Sequence, residues 1–136
     1  MDLFKTLRIS ASGLKAESER MRVVAENLAN ADTISDKPGG EPYRRKLITF
    51  RNALDRVLGA NLVKVGGVVA DKSDFDKKYD PGNPAADAKG YVLTSNVKPL
   101  IEMMDMREAQ RSYEANLSVV DASRTMLLRT IDVLRN

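Results

Sequence analysis

The C-terminal residues Pro99 to Arg135 read PLIEMMDMREAQRSYEANLSVVDASRTMLLRTIDVLR, and their pattern determines the predicted architecture of the chain. No Gly or Pro follows Pro99, so the sequence predicts one continuous helix of about 55 Å at a rise of about 1.5 Å per residue. Mostly apolar residues recur at alternating spacings of three and four, the seven-residue repeat of a coiled-coil helix. The repeat positions are Met103, Met106, Gln110, Tyr113, Leu117, Val120, Arg124, Leu127, Ile131 and Leu134. A helix of this length cannot cover its own apolar stripe, and therefore needs a partner.

The N-terminal residues predict that partner. Asp2 can cap a helix that ends near Asn30 to Thr33, where side chains that favour turns are concentrated. Large apolar residues occupy one position of its repeat and mostly smaller ones the other: Leu7, Leu14, Met21 and Leu28, with Ala11, Ser18 and Ala25 between them. This alternation lets a second helix approach closely. Gly13 marks either a close backbone contact or a tolerated substitution, since a helical Gly costs about 1 kcal/mol relative to Ala.

The middle of the chain predicts a small, irregular β-rich insert. Seven of the eight Gly, and the Pro residues, lie between Pro38 and Pro99. Asn52 to Leu58 resembles about two helical turns closed by Gly59. The strand candidates, rich in β-branched and aromatic residues, are Tyr43 to Phe50, Leu62 to Ala70, Phe75 to Tyr79 and Tyr91 to Thr94. These strands are too short to form a deep core of their own.

The predicted fold is therefore mainly α with a small β insert, and the two terminal helices pair as an antiparallel coiled coil. The corresponding segments are an N-terminal helix in 1–33, a loop and β-rich insert in 34–95, and a C-terminal helix in 96–136.

Composition narrows the possible functions. The chain has no Cys and no His, which removes thiol chemistry and the commonest transition-metal ligand. The net charge of +3 is small and mixed along the chain, so it does not predict nucleic-acid binding. No apolar run is long enough for a transmembrane helix and none suits a cleaved signal peptide. Taken alone, these features predict a cytoplasmic protein.

No enzymatic or metal site is predicted. The acidic residues Asp71, Asp74, Asp76 and Asp80 are interrupted by Lys and lack the order of a calcium loop, so a solvated loop is the better interpretation. A carboxylate-based hydrolase is disfavoured, because no acidic pair lies on a recognisable scaffold. The sequence predicts a non-enzymatic protein without a cofactor; a soluble cytoplasmic coiled-coil adaptor is one hypothesis.

A second hypothesis follows from apolar residues beside the main stripe, such as Met104, Met126 and Val133. They exceed what one helix pair needs, and a head-to-tail contact that does not close into a ring generates a helical filament. The residues predicted to form the helix seam and the contacts between subunits are Leu7, Leu14, Met21, Leu28, Met103, Met106, Tyr113, Leu117, Val120, Leu127, Ile131 and Leu134.

The chain also resembles a known family, the rod and hook axial proteins of the bacterial flagellum. Ser10-Ala11-Ser12-Gly13-Leu14 and Asn27-Leu28-Ala29-Asn30 are similar to the N-terminal signature of that family. Its middle and C-terminal motifs resemble those of proximal rod members. The motif residues are Asn27, Asn30, Thr33, Tyr43, Arg44, Arg45, Tyr79, Asp80, Pro81, Gly82, Tyr91, Asn96, Glu102, Met103, Asp105, Met106, Tyr113 and Asn116.

This resemblance implies a subunit of the basal-body rod, a drive shaft that transmits motor torque to the hook. It implies export by the flagellar type III apparatus and a location in the rod within the periplasm, which replaces the cytoplasmic expectation. The implied partners are copies of the chain, rod proteins of the FlgB, FlgF and FlgG types, and the basal adaptor FliE. It implies neither nucleic-acid binding nor a membrane span.

Overall fold

The computed structural model describes residues 2–135, so Met1 and Asn136 of the predicted end segments lie outside it. The elements in chain order are α1 (Leu3–Ala29), β1 (Lys46–Asp55), β2 (Ala60–Ala70), β3 (Asp76–Tyr79), β4 (Tyr91–Thr94) and α2 (Pro99–Arg135). Two long terminal helices with a small β insert between them confirm the mainly α prediction. The coiled-coil geometry of the helix pair remains a prediction.

Local sequence explains where the helices begin and end. The Asp2 carboxylate accepts hydrogen bonds from the backbone N–H groups of Phe4 and Lys5, at 3.1 and 3.2 Å, which confirms its predicted capping role. At the far end, the Asn30 side chain donates to the carbonyl of Glu26 at 2.8 Å. Helix α2 begins at Pro99, whose missing N–H is not needed in the first turn.

The predicted helical turns at Asn52 to Leu58 are wrong, because β1 runs through Asp55 and a tight turn follows. The Asp55 carboxylate accepts hydrogen bonds from the N–H groups of Val57 and Leu58, and Gly59 adopts a positive φ of 58°. This turn returns the chain so that β1 can pair with β2. Pairing along the strand overrides the weak helical preference of the segment.

The two remaining strands form a separate two-stranded antiparallel sheet. Asp76 pairs with Thr94 and Tyr79 pairs with Tyr91. The other edge of β4 is covered by the segment after α1, since Ser35 donates to the Leu93 carbonyl at 3.2 Å. All four residues of β3 are exposed. Two-stranded sheets have little stability of their own, so this insert depends on the helices beside it.

The chain divides into two compact units, and each of the three predicted segments contributes residues to both. The first unit comprises the residues up to Met21, Thr49–Gly67 and the residues from Arg107 onward. The second comprises Arg22–Ile48 and Val68–Met106. The division into 1–33, 34–95 and 96–136 remains a prediction about chain order.

Contacts inside the first unit show that the two helices run antiparallel there. In the first unit Gly13 lies against Asn116, and the Arg20 guanidinium donates to the Glu108 carboxylate at 3.3 Å. In the second unit Asn27 bonds with Glu102. In the first unit the contacting residue number increases along α1, from Gly13 to Arg20, while it decreases along α2, from Asn116 to Glu108.

The buried side chains are small or polar. Among residues 2–135 the buried apolar ones are Ala16, Val23, Val24, Pro42, Ala85, Val92, Val97 and Ala109. The buried polar ones are Ser10, Asn27, Ser35, Ser95, Asn96, Glu102 and Ser123. The core of the described residues therefore contains no buried Leu, Ile or Met. Most large apolar side chains remain at least partly in contact with solvent.

Gly13 allows the helices of the first unit to approach closely. A Cβ at this position would lie 2.9 Å from the amide nitrogen of Asn116 and 3.1 Å from its Cγ. Of the two explanations for this Gly, a close contact is the one that the structure supports. It is a contact with a side chain of α2.

We expect Gly13→Leu to lower the free energy of unfolding by about 1–3 kcal/mol, because the added side chain overpacks the contact with Asn116. Asn116→Ala in the same chain should restore part of the loss, since it removes the obstructing amide. A double-mutant cycle measured by urea unfolding checks the coupling. Strictly additive effects of the two substitutions would contradict the close contact.

Candidate assembly site

A buried polar cluster joins the end of α1, the start of β1 and the start of α2. We call Asn27, Arg45 and Glu102 the polar clamp. The Arg45 Nε donates to Glu102 Oε1 at 2.5 Å, and Asn27 Nδ2 donates to Glu102 Oε2 at 3.0 Å. Glu102 is fully buried, with 0% of its surface exposed. A carboxylate at such a site is tolerated only when both oxygens have partners, as they do here.

The Asn27 side chain uses its full hydrogen-bonding capacity. Its Oδ1 accepts from the Tyr43 hydroxyl and from the Lys46 N–H, both at 2.9 Å. Its Nδ2 donates to the Lys46 carbonyl at 2.8 Å as well as to Glu102. Two donors and two acceptor positions are therefore satisfied. The asparagine fixes the chain at the start of β1 against the last turn of α1.

A second layer of contacts holds Arg45 in place. Its backbone N–H donates to Asn96 Oδ1 at 2.7 Å, and its guanidinium lies 3.4 Å from the Asp71 carboxylate and 3.7 Å from that of Asp105. The hydrogen bond from the Ser73 N–H is the main cause that lowers the pKa of Asp71. Asp71 is therefore charged at neutral pH and complements Arg45.

The clamp also changes the acidity of Tyr43. Burial, followed by the negative charges of Glu26 and Glu102, raises the pKa of Tyr43 to about 12. The hydroxyl therefore stays protonated and continues to donate to Asn27. Beside it, Arg44 lies over the ring of Phe75, 4.1 Å from its centroid, which is a cation–π contact.

Glu17 has an unfavourable electrostatic environment in the first unit. Its Oε2 is buried without a hydrogen bond, although the Arg20 guanidinium lies 3.7 Å away. Burial raises the pKa of Glu17 above its ordinary value of 4.5, Arg20 opposes this shift, and the negative charge of Glu108 adds to it.

The seam of α2 contains the three buried residues of this helix and one half-buried residue at the same spacing. We define the α2 seam as Glu102, Ala109, Asn116 and Ser123, which are seven residues apart. Glu102, Ala109 and Ser123 are buried and Asn116 is half-buried. We define the lateral stripe as the residue that follows each of these four: Met103, Gln110, Leu117 and Arg124. Every member of the lateral stripe is exposed, so the predicted stripe and the observed seam differ at these four positions.

The predicted interaction residues divide into two groups. Those that are half-buried in the chain are Leu7, Leu14, Met21, Met106, Tyr113, Val120 and Leu127. Those that are exposed are Leu28, Met103, Leu117, Ile131 and Leu134. Whether either group contacts another subunit remains a prediction.

Six of the eighteen motif residues lie around the clamp. The structure brings Asn27, Tyr43, Arg45, Asn96, Glu102 and Asp105 into this region. Tyr79 and Tyr91 form a separate edge-to-face pair on the β3–β4 sheet, with ring centroids 5.2 Å apart. Gly90 adopts a positive φ of 81° there, and a Cβ would lie 2.9 Å from the Tyr79 ring. Met103, Met106, Tyr113 and Asn116 are distributed along α2.

Sequence reasoning missed the small residues of the seam. Ala109 and Ser123 are nearly inaccessible to solvent, yet neither belongs to a large apolar stripe. The signal that could have identified them is that each lies seven residues from Asn116 in the sequence.

Within residues 2–135 no cluster of three acidic residues has a metal-binding arrangement, and Asp76 instead lies 3.8 Å from Lys98. Over the same residues, neither helix is long and apolar enough to cross a bilayer.

Comparison with known protein families agrees with the two helical ends. Residues 7–34 match the family described as flagella basal body rod protein. Residues 88–133 match the family described as flagellar basal body rod FlgEFG protein C-terminal. Both descriptions define the same class, the rod proteins of the flagellar basal body.

Curated relatives specify the member of that class. The flagellar basal-body rod protein FlgC of Agrobacterium fabrum is 52% identical and covers 94% of this chain and 92% of its own length. FlgC of Bacillus subtilis is 40% identical over 98% of this chain and 99% of its own length. FlgC of Salmonella typhimurium is 40% identical over 96% and 97%. The chain therefore belongs to the FlgC family of flagellar basal-body rod proteins.

This membership confirms the resemblance found in the sequence. The chain is a structural protein of the flagellar basal-body rod and not an enzyme. Family membership replaces the hypothesis of a cytoplasmic adaptor, because the relatives are rod proteins and match this chain over nearly their whole length. The site that matters is consequently a surface for assembly rather than a catalytic pocket.

We expect Arg45→Met to lower the free energy of unfolding by about 3–5 kcal/mol, because it leaves the Glu102 carboxylate buried without its cationic partner. Urea unfolding measures the effect. Glu102→Gln in the same chain should restore much of the stability by removing the uncompensated charge. The control Arg51→Met changes an exposed arginine of β1 and should have little effect. Equal losses in the two Arg variants would contradict a specific role of the clamp.

We expect Glu17→Gln to stabilise the protein at pH 7 and to have a smaller effect at pH 4. The pKa of Glu17 in the folded state lies above the ordinary value, so the protonated form favours the fold and the ionised form disfavours it. The stabilisation by the protonated form is present at low pH and is lost as the pH rises through the interval between the two pKa values. Thermal unfolding of parent and variant at both pH values checks the sign. The exposed Glu114→Gln serves as the matched control, and a pH-independent gain for Glu17→Gln would contradict the prediction.

Proposed function

We propose that this chain polymerises into the proximal rod as part of the drive shaft that carries motor torque to the hook. The observation that supports it is the exposure of large apolar side chains on α2 while small and polar ones fill its seam. Met104 is 65% exposed and Leu134 is 82% exposed. Exposed apolar surface on this scale is typical of sites that bind other proteins.

The exposed apolar residues lie on both flanks of the α2 seam. At 100° per residue, one flank carries Met103, Leu117, Leu128 and Ile131. The opposite flank carries Ile101, Met104, Val119, Met126 and Val133. A helix that contacts α1 on one side and has an apolar flank on each side can join two further neighbours. Heterologous contacts of this kind extend into a helical assembly.

Such packing suits a shaft under torsion. Side chains that interdigitate at the density of a protein interior cannot slide past one another without opening cavities. A tube built from long helices with contacts on several sides would therefore transmit rotation with little slippage. In this arrangement the terminal helices form the inner wall, and the β insert packs laterally against neighbouring subunits.

The proposed partners are those implied by the resemblance. They are copies of the chain, the FlgB, FlgF and FlgG types of rod protein, and the basal adaptor FliE. The proposal also includes passage through the flagellar type III export apparatus to reach the part of the rod in the periplasm. Rod proteins among the relatives support assembly with other rod components, and the particular contacts belong to the proposal.

We expect Leu117→Asp to abolish motility and rod assembly while the subunit is still synthesised. Leu117 is 42% exposed, so a charge there is solvated in the free chain but would be buried at a subunit contact. Leu28→Asp tests the equivalent position on α1, which is also exposed. Motility in soft agar and the yield of rods in purified basal bodies are the measurements.

The matched control is Ser118→Asp, which places the same charge on the next exposed residue, about 100° around α2 from Leu117. It should leave motility close to that of the parent. Normal rods in both Leu variants would refute the proposed contacts. Recovery of the parent chain only in the soluble fraction, never with basal bodies, would refute the proposed function itself.

A further inference from the structure

We infer that the polar clamp selects which face of α2 meets α1, and thereby keeps the lateral stripe available for neighbouring subunits. Asn27, Arg45 and Glu102 act as positioning residues for assembly. The first part of this inference concerns the free chain, and only the second part rests on the proposed function.

Apolar burial alone does not explain the observed seam. At two of its four positions the seam holds the buried Glu102 and the half-buried Asn116, while the next residues, Met103 and Leu117, are exposed. Turning α2 about its axis towards the lateral stripe would cover both of these large apolar side chains. The half-buried Met106, Tyr113, Val120 and Leu127 belong to both arrangements, so they do not discriminate between them. The hydrophobic effect has no directionality that could choose one face by itself.

The clamp supplies that directionality. Neighbouring residues of a helix are 100° apart, so a turn that brings Met103 inward carries Glu102 away from Asn27 and Arg45. The 2.5 Å bond from Arg45 and the 3.0 Å bond from Asn27 would then be lost. Hydrogen bonds weaken steeply with distance and angle, so even a partial turn breaks them. Asn27 and Arg45 would be left with unsatisfied donors.

A second contact in the first unit favours the same face of α2. Gly13 leaves room for Asn116, and even a Cβ there would lie only 2.9 Å from the Asn116 amide. Because the approach is so close, the bulkier side chain of Leu117 does not fit at this position. Asn116 is itself held by a hydrogen bond from its amide to the Ser112 carbonyl at 2.9 Å. Each unit therefore contains its own contact that requires a seam residue.

A buried polar residue is known to fix register and orientation between paired helices at some cost in stability. The same logic applies here to the rotation of one helix. The buried carboxylate makes the chain less stable than an apolar core would, and it makes the arrangement specific. As a result, Met103 and Leu117 remain exposed and do not pack against α1 of their own chain.

The test uses cysteine reporters, because the chain contains no Cys of its own. Ala109→Cys, Leu117→Cys and Ser123→Cys are introduced separately into the full-length chain, and their rates of reaction with a maleimide are measured. In the parent, the reporter at 117 should react fast and those at 109 and 123 slowly. Equal rates at all three positions would overturn the inference.

The same reporters are then measured after the clamp is replaced by apolar residues, Asn27→Leu, Arg45→Met and Glu102→Met together. We expect labelling at 117 to slow, and labelling at 109 and 123 to accelerate, each by about tenfold, the factor that corresponds to roughly 1.4 kcal/mol of local opening. General unfolding would accelerate all three. The reciprocal change is therefore specific to rotation, and an unchanged pattern would overturn the inference.

Two further variants protect the test against loss of folding. Glu102→Met alone leaves the bonds of Asn27 to Tyr43 and Lys46 in place, and should shift the three rates in the same directions. Glu102→Gln retains the size and the bond to Asn27 but replaces the acceptor of Arg45 by an amide NH2, so its rates should lie between those of the parent and those of Glu102→Met. If the triple variant reacts fast at every position, it has unfolded, and Glu102→Met alone then tests the inference. Unchanged rates in Glu102→Met would refute the inference.

The inference about the clamp and the proposed function can be refuted independently of each other. The reporters describe the free chain, so their result does not depend on whether the chain enters a rod. If rotation is confirmed but the apolar clamp variant still assembles normally, the clamp sets the face without serving assembly. If rotation does not occur and the Leu117→Asp chain still fails to assemble, the proposed function stands without the clamp.

Discussion

The structure depends on a carboxylate that is held in the interior by an arginine and an asparagine. Glu102 is the first large inward side chain of α2, and its two oxygens join α1 through Asn27 and β1 through Arg45. Because a buried charge is costly without partners, the three elements must come together in one arrangement or not at all. The clamp therefore holds α1, α2 and the segment before β1 together within the second unit.

The sequence predicted the helices well, because their signals are local. An Asp cap, a Pro in the first turn and a long stretch without further breakers placed α1 and α2 nearly to the residue. The prediction of helical turns at Asn52 to Leu58 was wrong, because the pairing of β1 depends on residues of β2 beyond the turn. The helical preference of the segment is weak, and pairing with β2 outweighs it.

The face of α2 could not be predicted in the same way. Periodicity ranks residues by hydrophobicity, and by that measure Met103 and Leu117 belong inside while Glu102 and Asn116 belong outside. The structure reverses this order, because a hydrogen-bonded partner for Glu102 and the space beside Gly13 are visible only in three dimensions. The motif residues of the family resemblance did include Asn27, Arg45 and Glu102, so resemblance found what periodicity missed.

The sequence of strand β3 opposes the addition of a strand from another chain. An edge strand invites another chain to extend the sheet, and charged side chains, Lys above all, oppose that addition. Here the strand reads Asp-Lys-Lys-Tyr and all four residues are exposed. The other edge of its partner β4 is already occupied by the segment around Ser35. Both outer edges of the β3–β4 sheet are therefore protected against the addition of a strand from another chain.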